Sequence, residues 1–261
     1  MTIYYKSKSE IETLRSGGKI LAKILQTIAV SIKPTISASV LELITRDEIK
    51  KAGAQPAFLN YDTGYMGKYP AALCVSVNDE IVHGIPSPEK IFKEGDLVGI
   101  DCGIWYKDLC VDAAITVPCG EISKEAQRLL SVTKEALKIG IGRCRVGNYV
   151  GDIGYAIQRY VESNGFCVIK SLVGHGVGYK IHEDPQIPNF FPFDPKKPKN
   201  KGAQIKEGMT LAIEPMISIS SEQTKKGKDR YAAVTKDGSL AAHFEHSIAV
   251  TKRGPRILTL P

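Results

Sequence analysis

Histidine is scarce in this 261-residue chain. There are five: His83, His175, His182, His243 and His246. Any imidazole chemistry must fall to these. The six cysteines (Cys74, Cys102, Cys110, Cys119, Cys144, Cys167) form no CxxC pair. They read as reduced thiols, mostly small core residues. No apolar run approaches the ~20 residues that span a bilayer. The opening stretch MTIYYKSKSEIETLR has no apolar core ahead of a small-residue cleavage site, so it does not read as a signal peptide. These absences point to a cytoplasmic chain without membrane contact. What is present is ordinary: 43% apolar residues argues for a globular protein. The length suits one large core or two small ones. Net charge is +7, which reads first as solubility and second as work near nucleic acid.

The chain says one thing twice. KEGDLVGID (93–101) and KEGMTLAIE (206–214) share Lys-Glu-Gly, an isoleucine at the eighth position and a carboxylate at the ninth. Val82-His83-Gly84-Ile85-Pro86 and Ile181-His182-Glu183-Asp184-Pro185 are both apolar-His-x-x-Pro, and each precedes its Lys-Glu-Gly phrase. Upstream, helical spacing runs from Ile11 through Leu14, Gly18, Leu21, Leu25, Ile28 and Ile32 to Pro34. Ser7–Glu10 reads as its capping box, and Ser39–Glu42 as a second, for a helix ending near Gly53. The other half has Ala126, Leu130, Thr133, Leu137 and Ile141 after Ser123, then Val150, Ile153, Ile157 and Val161 before Asn164-Gly165. Each half is thus two helices followed by β-rich sequence. The expectation is two related halves packed about a pseudo-twofold axis, with their acids brought together.

Those acids need a reason. Asp101 closes a buried strand, Leu97–Ile100. If Tyr106-Lys107 is the turn of a hairpin, Asp101 lies directly opposite Asp112, and like charges there are destabilising. Shared protonation is one escape and a cation the other. Glu214 and Glu245 bring the strand-end acids to four, which favours the cation. Carboxylates with one or two imidazoles suit a pair of divalent ions about 3.5–4 Å apart. His175 sits in Gly174-His175-Gly176-Val177-Gly178, read as a tight loop in which backbone approaches a ligand. His243 and His246 read as structural, although His243 shares a face with Glu245 in a regular strand.

The stretches PAFLNY (56–61), CVSVNDEIVHGIPS (74–87), GDLVGIDCG (95–103), DAAITV (112–117), GHGVGYKIHEDPQIPN (174–189), KEGMTLAIEPM (206–216) and FEHSIAVT (244–251) resemble the type I methionine aminopeptidases of the bacterial kind. The resemblance implies an α+β, pita-bread fold: two pseudo-twofold halves, about 1–120 and 121–261, of one catalytic domain around a central antiparallel sheet. It implies that Asp101, Asp112, His175, Glu214 and Glu245 hold two divalent metal cations (Co, Mn, Fe or Zn), with Asp112 and Glu245 bridging. It implies catalytic roles for His83, His182 and Glu214. A methionine slot would be lined by Tyr69, Cys74, Ile181 and Tyr231, although some members carry an aromatic where Ile181 stands. The implied substrates are nascent polypeptides with N-terminal Met and a small second residue, processed by a monomer.

The sequence reads as a type I chain expected to be without the cysteine-rich N-terminal extension of eukaryotic cytosolic enzymes. It also lacks the helical insertion that type II enzymes carry between His182 and Glu214. The segment 189–202, with Lys196, Lys197, Lys199 and Lys201, reads as a solvated loop or as a ribosomal RNA contact. Two rival readings remain at this point. One is a proline-specific peptidase of the same fold, which usually carries an added N-terminal domain. The other is a catalytically dead binding module, which would have lost metal ligands.

Overall fold

The computed structural model describes residues 2–64, 66–191 and 201–261. Two helices followed by strands occur twice along it. First come α1 (Lys8–Val30) and α2 (Ala38–Lys51), then β1 (Gln55–Pro56), β2 (Cys74–Val77), β3 (Glu80–Val82), β4 (Leu97–Tyr106) and β5 (Leu109–Pro118). Next are α3 (Lys124–Arg143) and α4 (Val150–Ser163), then β6 (Cys167–Val168), β7 (Val173–Gly176), β8 (Glu183–Pro188), β9 (Thr210–Ile213) and β10 (Met216–Ser218). The last five are β11 (Thr224–Lys226), β12 (Ala233–Thr235), β13 (Ala241–His243), β14 (His246–Thr251) and β15 (Gly254–Ile257). Lys196, Lys197 and Lys199 of the basic segment lie outside the described residues, while Lys201 pairs with Asp152 at 2.9 Å.

The helices start where side chains can satisfy free N–H groups. Ser7 Oγ accepts from Glu10 N at 3.3 Å, and Ser7 N donates back to Glu10 Oε2 at 2.7 Å, the expected capping box. α1 ends at Val30, so Ile32 packs from beyond the helix. The Ser39 box does not form. Ser37 caps α2, and Glu42 turns inward to accept from Ala72 N at 2.9 Å and Leu73 N at 3.0 Å. Buried backbone donors outcompete a cap that solvent could serve. α3 and α4 begin and end as their spacing predicts. Each helix pair covers its own core. Leu14, Leu21, Ile28, Leu41, Ile100 and Ile104 gather under α1 and α2, and Leu129, Ile153, Ile157, Ile213 and Ile248 under α3 and α4.

Two antiparallel sheets carry the repeated phrases on matching strands. β4 lies between β2 and β5, and β9 lies between β7 and β14. Gly95 and Gly208 both take positive φ, 91° and 85°, which a side chain would resist. β4 and β9 each begin two residues later.

The β4–β5 hairpin turns one residue later than expected. Tyr106 pairs with Leu109, and Lys107-Asp108 form the turn with φ of 49° and 62°. Two successive positive φ values give the twist that suits a two-residue hairpin. The register therefore sets Asp101 against Ala114 and Asp112 against Gly103. The two aspartates are diagonal neighbours on one face, not directly opposed.

The halves meet along β5. Glu245 N donates to Ala114 O at 2.8 Å. On one side Ser247 Oγ accepts from Asp112 N at 2.9 Å and donates to Asp112 O at 2.7 Å. On the other, Thr116 Oγ1 accepts from His243 N at 2.9 Å and donates to His243 O at 2.8 Å. The pairs 112/247, 114/245 and 116/243 step in opposite directions, so β5 runs antiparallel to 243–247. Hydroxyls stand where a closer ladder would use backbone. This seam continues the antiparallel layer from one half into the other.

Candidate metal centre

Alternation along strands decides which side chains share a face. Asp101, Asp112, Glu245 and His243 fall on one face of the layer by the registers just given. The β9–β14 ladder ends at Ile213 opposite His246, and one further step sets Glu214 opposite Glu245. His175 on β7 pairs with Ala212, two residues before Glu214. Four acids and one histidine thus converge from β4, β5, β7, the end of β9 and the approach to β14. Ligand atoms of Asp112, His175 and Glu245 all lie within 4.8 Å of one another.

His175 is on a strand, not in the tight loop its glycines suggested. A Cβ at Gly174 would stand 2.4 Å from Ala212 O, and one at Gly176 2.4 Å from Asp184 O. The glycines admit neighbouring backbone rather than a ligand.

The acids are costly as they stand. Asp112 and Glu245 are 3% and 2% exposed. Asp101 Oδ1, Asp112 Oδ1 and Glu245 Oε1 are buried with no hydrogen-bond partner. Burial, and then the neighbouring carboxyls, hold Asp101, Glu214 and Glu245 well above the usual carboxylate range. Burial pushes Asp112 up to about 7. Burial lowers His175 to about 4, so its imidazole is neutral at pH 7. Its Nδ1 lies 2.9 Å from Gly176 O. With Nδ1–H donating there, Nε2 keeps a free lone pair, as a metal-ligating histidine requires. Orphaned carboxylate oxygens around a neutral imidazole are a donor set that fits divalent cations.

The cluster lies at a cavity of about 770 Å³. Asp101, Asp112, His175, Glu214, Glu245, His83, His182, Tyr69, Cys74 and Tyr231 line it. Ile181 does not. It packs behind, against Val177, Cys110 and Ala57. Its neighbours Lys180 and His182 face the cavity instead. Cys74 is placed directly opposite Asp101 on β2. Tyr69 donates to Gly84 O at 2.9 Å and stacks edge-on with Tyr231, ring centres 5.5 Å apart. These rings form an apolar wall beside a charged floor.

The model of metallopeptidase family M24 matches residues 12–252. The chain belongs to this family. The M24 chain is 48% identical over 260 residues to the methionine aminopeptidase of Aquifex aeolicus (strain VF5), covering 99% of each. It is 43% identical to methionine aminopeptidase 1 of Bacillus subtilis (strain 168), over 98% of this chain and 99% of that one. The crystal structure of the Thermotoga maritima methionine aminopeptidase superposes with a TM-score of 0.92 at 43% identity, covering both chains fully. The Pyrococcus furiosus prolidase shares the fold at 21% identity and a TM-score of 0.77, over 98% of this chain and 65% of that one. Among the described residues of this metallopeptidase, no helix is long and apolar enough to cross a membrane.

Three features of the M24 site were not read from the sequence. Tyr61 Oη lies 2.7 Å from His182 Nδ1. With the phenol donating, the hydrogen of His182 sits on Nε2. The signal was in PAFLNY, where the tyrosine follows the stretch that pairs with β4. His83 has φ of 63°, a strained setting for a residue other than glycine or asparagine. Thr2 and Tyr4 also line the cavity, brought there by Lys6. Its backbone N–H donates to Gly208 O at 2.7 Å, and its ammonium pairs with Glu183.

Proposed function

We propose that this M24 chain is a cytoplasmic methionine aminopeptidase: it hydrolyses the first peptide bond of nascent chains that begin with methionine and carry a small second residue. The observation that carries the reading is the juxtaposition of four buried acids and His175 with the apolar wall of Tyr69, Cys74 and Tyr231 in one cavity. Relatives above 40% identity bearing that activity in their names support it.

Asp101, Asp112, His175, Glu214 and Glu245 would hold two divalent cations. Such ions polarise a scissile carbonyl and acidify water at neutral pH. The side chains do the rest. Glu214, beside His175 in the cluster, takes a proton from water and passes it to the departing amine. His182, with hydrogen on Nε2, donates to the oxyanion as it develops, a contribution often near ~3 kcal/mol. His83 contacts the substrate from its strained turn. The tyrosine wall takes the unbranched methionine side chain.

The deciding experiment uses protein stripped of metal and reloaded with cobalt, manganese, iron or zinc. Metal-dependent release of methionine from Met-Ala-Ser is expected, weak for Met-Lys-Ser and at background for Asp112→Ala. Folded, loaded protein that releases nothing would return weight to a binding module. A ribosomal RNA contact through 189–202 belongs to the same reading. Neutralising Lys196, Lys197, Lys199 and Lys201 is expected to weaken ribosome binding and flatten its salt dependence.

A further inference from the structure

Glu214 lies between two imidazoles. His175 Nε2 is 3.3 Å from its Oε1, and His243 Nε2 is 3.6 Å from its Oε2. The proposed ligand set accounts for the first contact and not for the second. His243 is 3% exposed, and its Nε2 is sealed from solvent without a hydrogen-bond partner. A buried polar atom left in that state calls for an explanation. The backbone of His243 is fixed on both edges. Thr116 Oγ1 holds its N–H and its carbonyl, and β13 pairing sets it opposite Met216. The ring is therefore delivered to Glu214 by rigid elements. Among the described residues, no other carboxylate oxygen comes within 4.0 Å of a His243 nitrogen.

We propose that His243 is a positioning residue for the Glu214 carboxylate. With its hydrogen on Nε2, it donates to Oε2 and leaves Oε1, the oxygen beside His175, for the metal. The present separation is too long for a hydrogen bond, and a movement of roughly half an ångström closes it. In this arrangement His243 stands behind Glu214, facing its Oε2, rather than among the five ligands. Its partner is the far oxygen of a ligand. Groups that hold a ligand in this way commonly set affinity and turnover by about 10- to 100-fold. The inference rests on the metal-centre reading and adds to it a residue whose effect can be read without substrate.

The test compares the full chain with His243→Gln, whose amide can still donate to Glu214, and with His243→Leu and His243→Asn, which cannot reach it. Three readouts are taken: Co²⁺ affinity and stoichiometry by chelator competition, the Co²⁺ absorption spectrum, and kcat and KM separately on Met-Ala-Ser. For the Leu and Asn variants, Co²⁺ binding about tenfold weaker or more is expected, at unchanged stoichiometry. Their kcat is expected to fall while KM stays within about twofold, and His243→Gln recovers both. Parent-like affinity in both Leu and Asn variants would overturn the proposal. So would loss of one ion per chain with an altered spectrum that Gln does not restore, since His243 would then be a ligand. If the Leu variant does not fold, the Asn and Gln pair decides. A parent chain that binds no Co²⁺ fails the metal reading and this one with it. A parent that binds Co²⁺ but cleaves no peptide fails only the substrate reading, and the binding comparison still stands.

Discussion

Asp112 gives up its proton near pH 7 in the metal-free fold, against an ordinary value of 3.8, because burial disfavours its charged form. In the unfolded chain it ionises at the ordinary value. Between about pH 4 and pH 7 the fold therefore binds more protons than the unfolded chain. Stability is full below that window and falls as pH rises through it, by roughly 1 kcal/mol per pH unit for one such group. Denaturant titrations of metal-free protein at pH 4.5 and 7 are expected to show this loss, and Asp112→Asn is expected to reduce it by one group's share, the raised Asp101, Glu214 and Glu245 keeping the rest. Metal loading at pH 6.5 is expected to release protons, visible calorimetrically as a dependence on buffer ionisation enthalpy. At His182 the prediction concerns rate. Tyr61→Phe deletes the hydroxyl 2.7 Å from Nδ1 and is expected to lower kcat by about two- to tenfold, the worth of one hydrogen bond, with KM nearly unchanged. The four proposed liganding acids were legible because each sits where strand sequence makes a charge expensive, and His175 because glycines flank it, although they placed it in a loop rather than on β7. His243 was not, since its contact with Glu214 depends on the seam, and sequence periodicity says nothing about which strand meets which.

At the scale of elements, the helices were legible nearly to their ends, because caps and apolar spacing are local. Ser7 and Ser123 sit at N-caps as read. The start of α2 was misread because Glu42 serves two buried amides far along the chain. The hairpin was misread by one residue because its turn has no glycine. Lys107 and Asp108 carry positive φ instead, a setting that costs an L-residue about 1–2 kcal/mol. Asp108→Gly is therefore expected to stabilise the protein by up to about 1 kcal/mol, measured as a rise in the denaturant midpoint at unchanged slope. A fall would mean that the flanking strands, rather than the turn, set the strain.

Across the whole molecule, the two halves are joined at β5 by contacts that also hold Asp112 and Glu245 in the proposed ligand set. Ser247 Oγ answers both backbone polar groups of Asp112. Ser247→Ala leaves them buried and unpaired, with an expected cost of roughly 1–3 kcal/mol. Because the loss falls at the metal centre, weaker metal retention is expected with it, checked by dialysis against a chelator. A stability loss with parent-like retention would separate the seam from the site. The cavity mouth has its own consequence. Thr2 and Tyr4 line it, and Lys6 anchors that stretch to Gly208 and Glu183. Any purification tag or fusion joined ahead of residue 2 leaves the protein at the mouth of its own cavity. Tethered there, it competes with free peptides at an effective concentration in the millimolar range, so assays on such fusions would understate activity, and a C-terminal tag avoids the artefact.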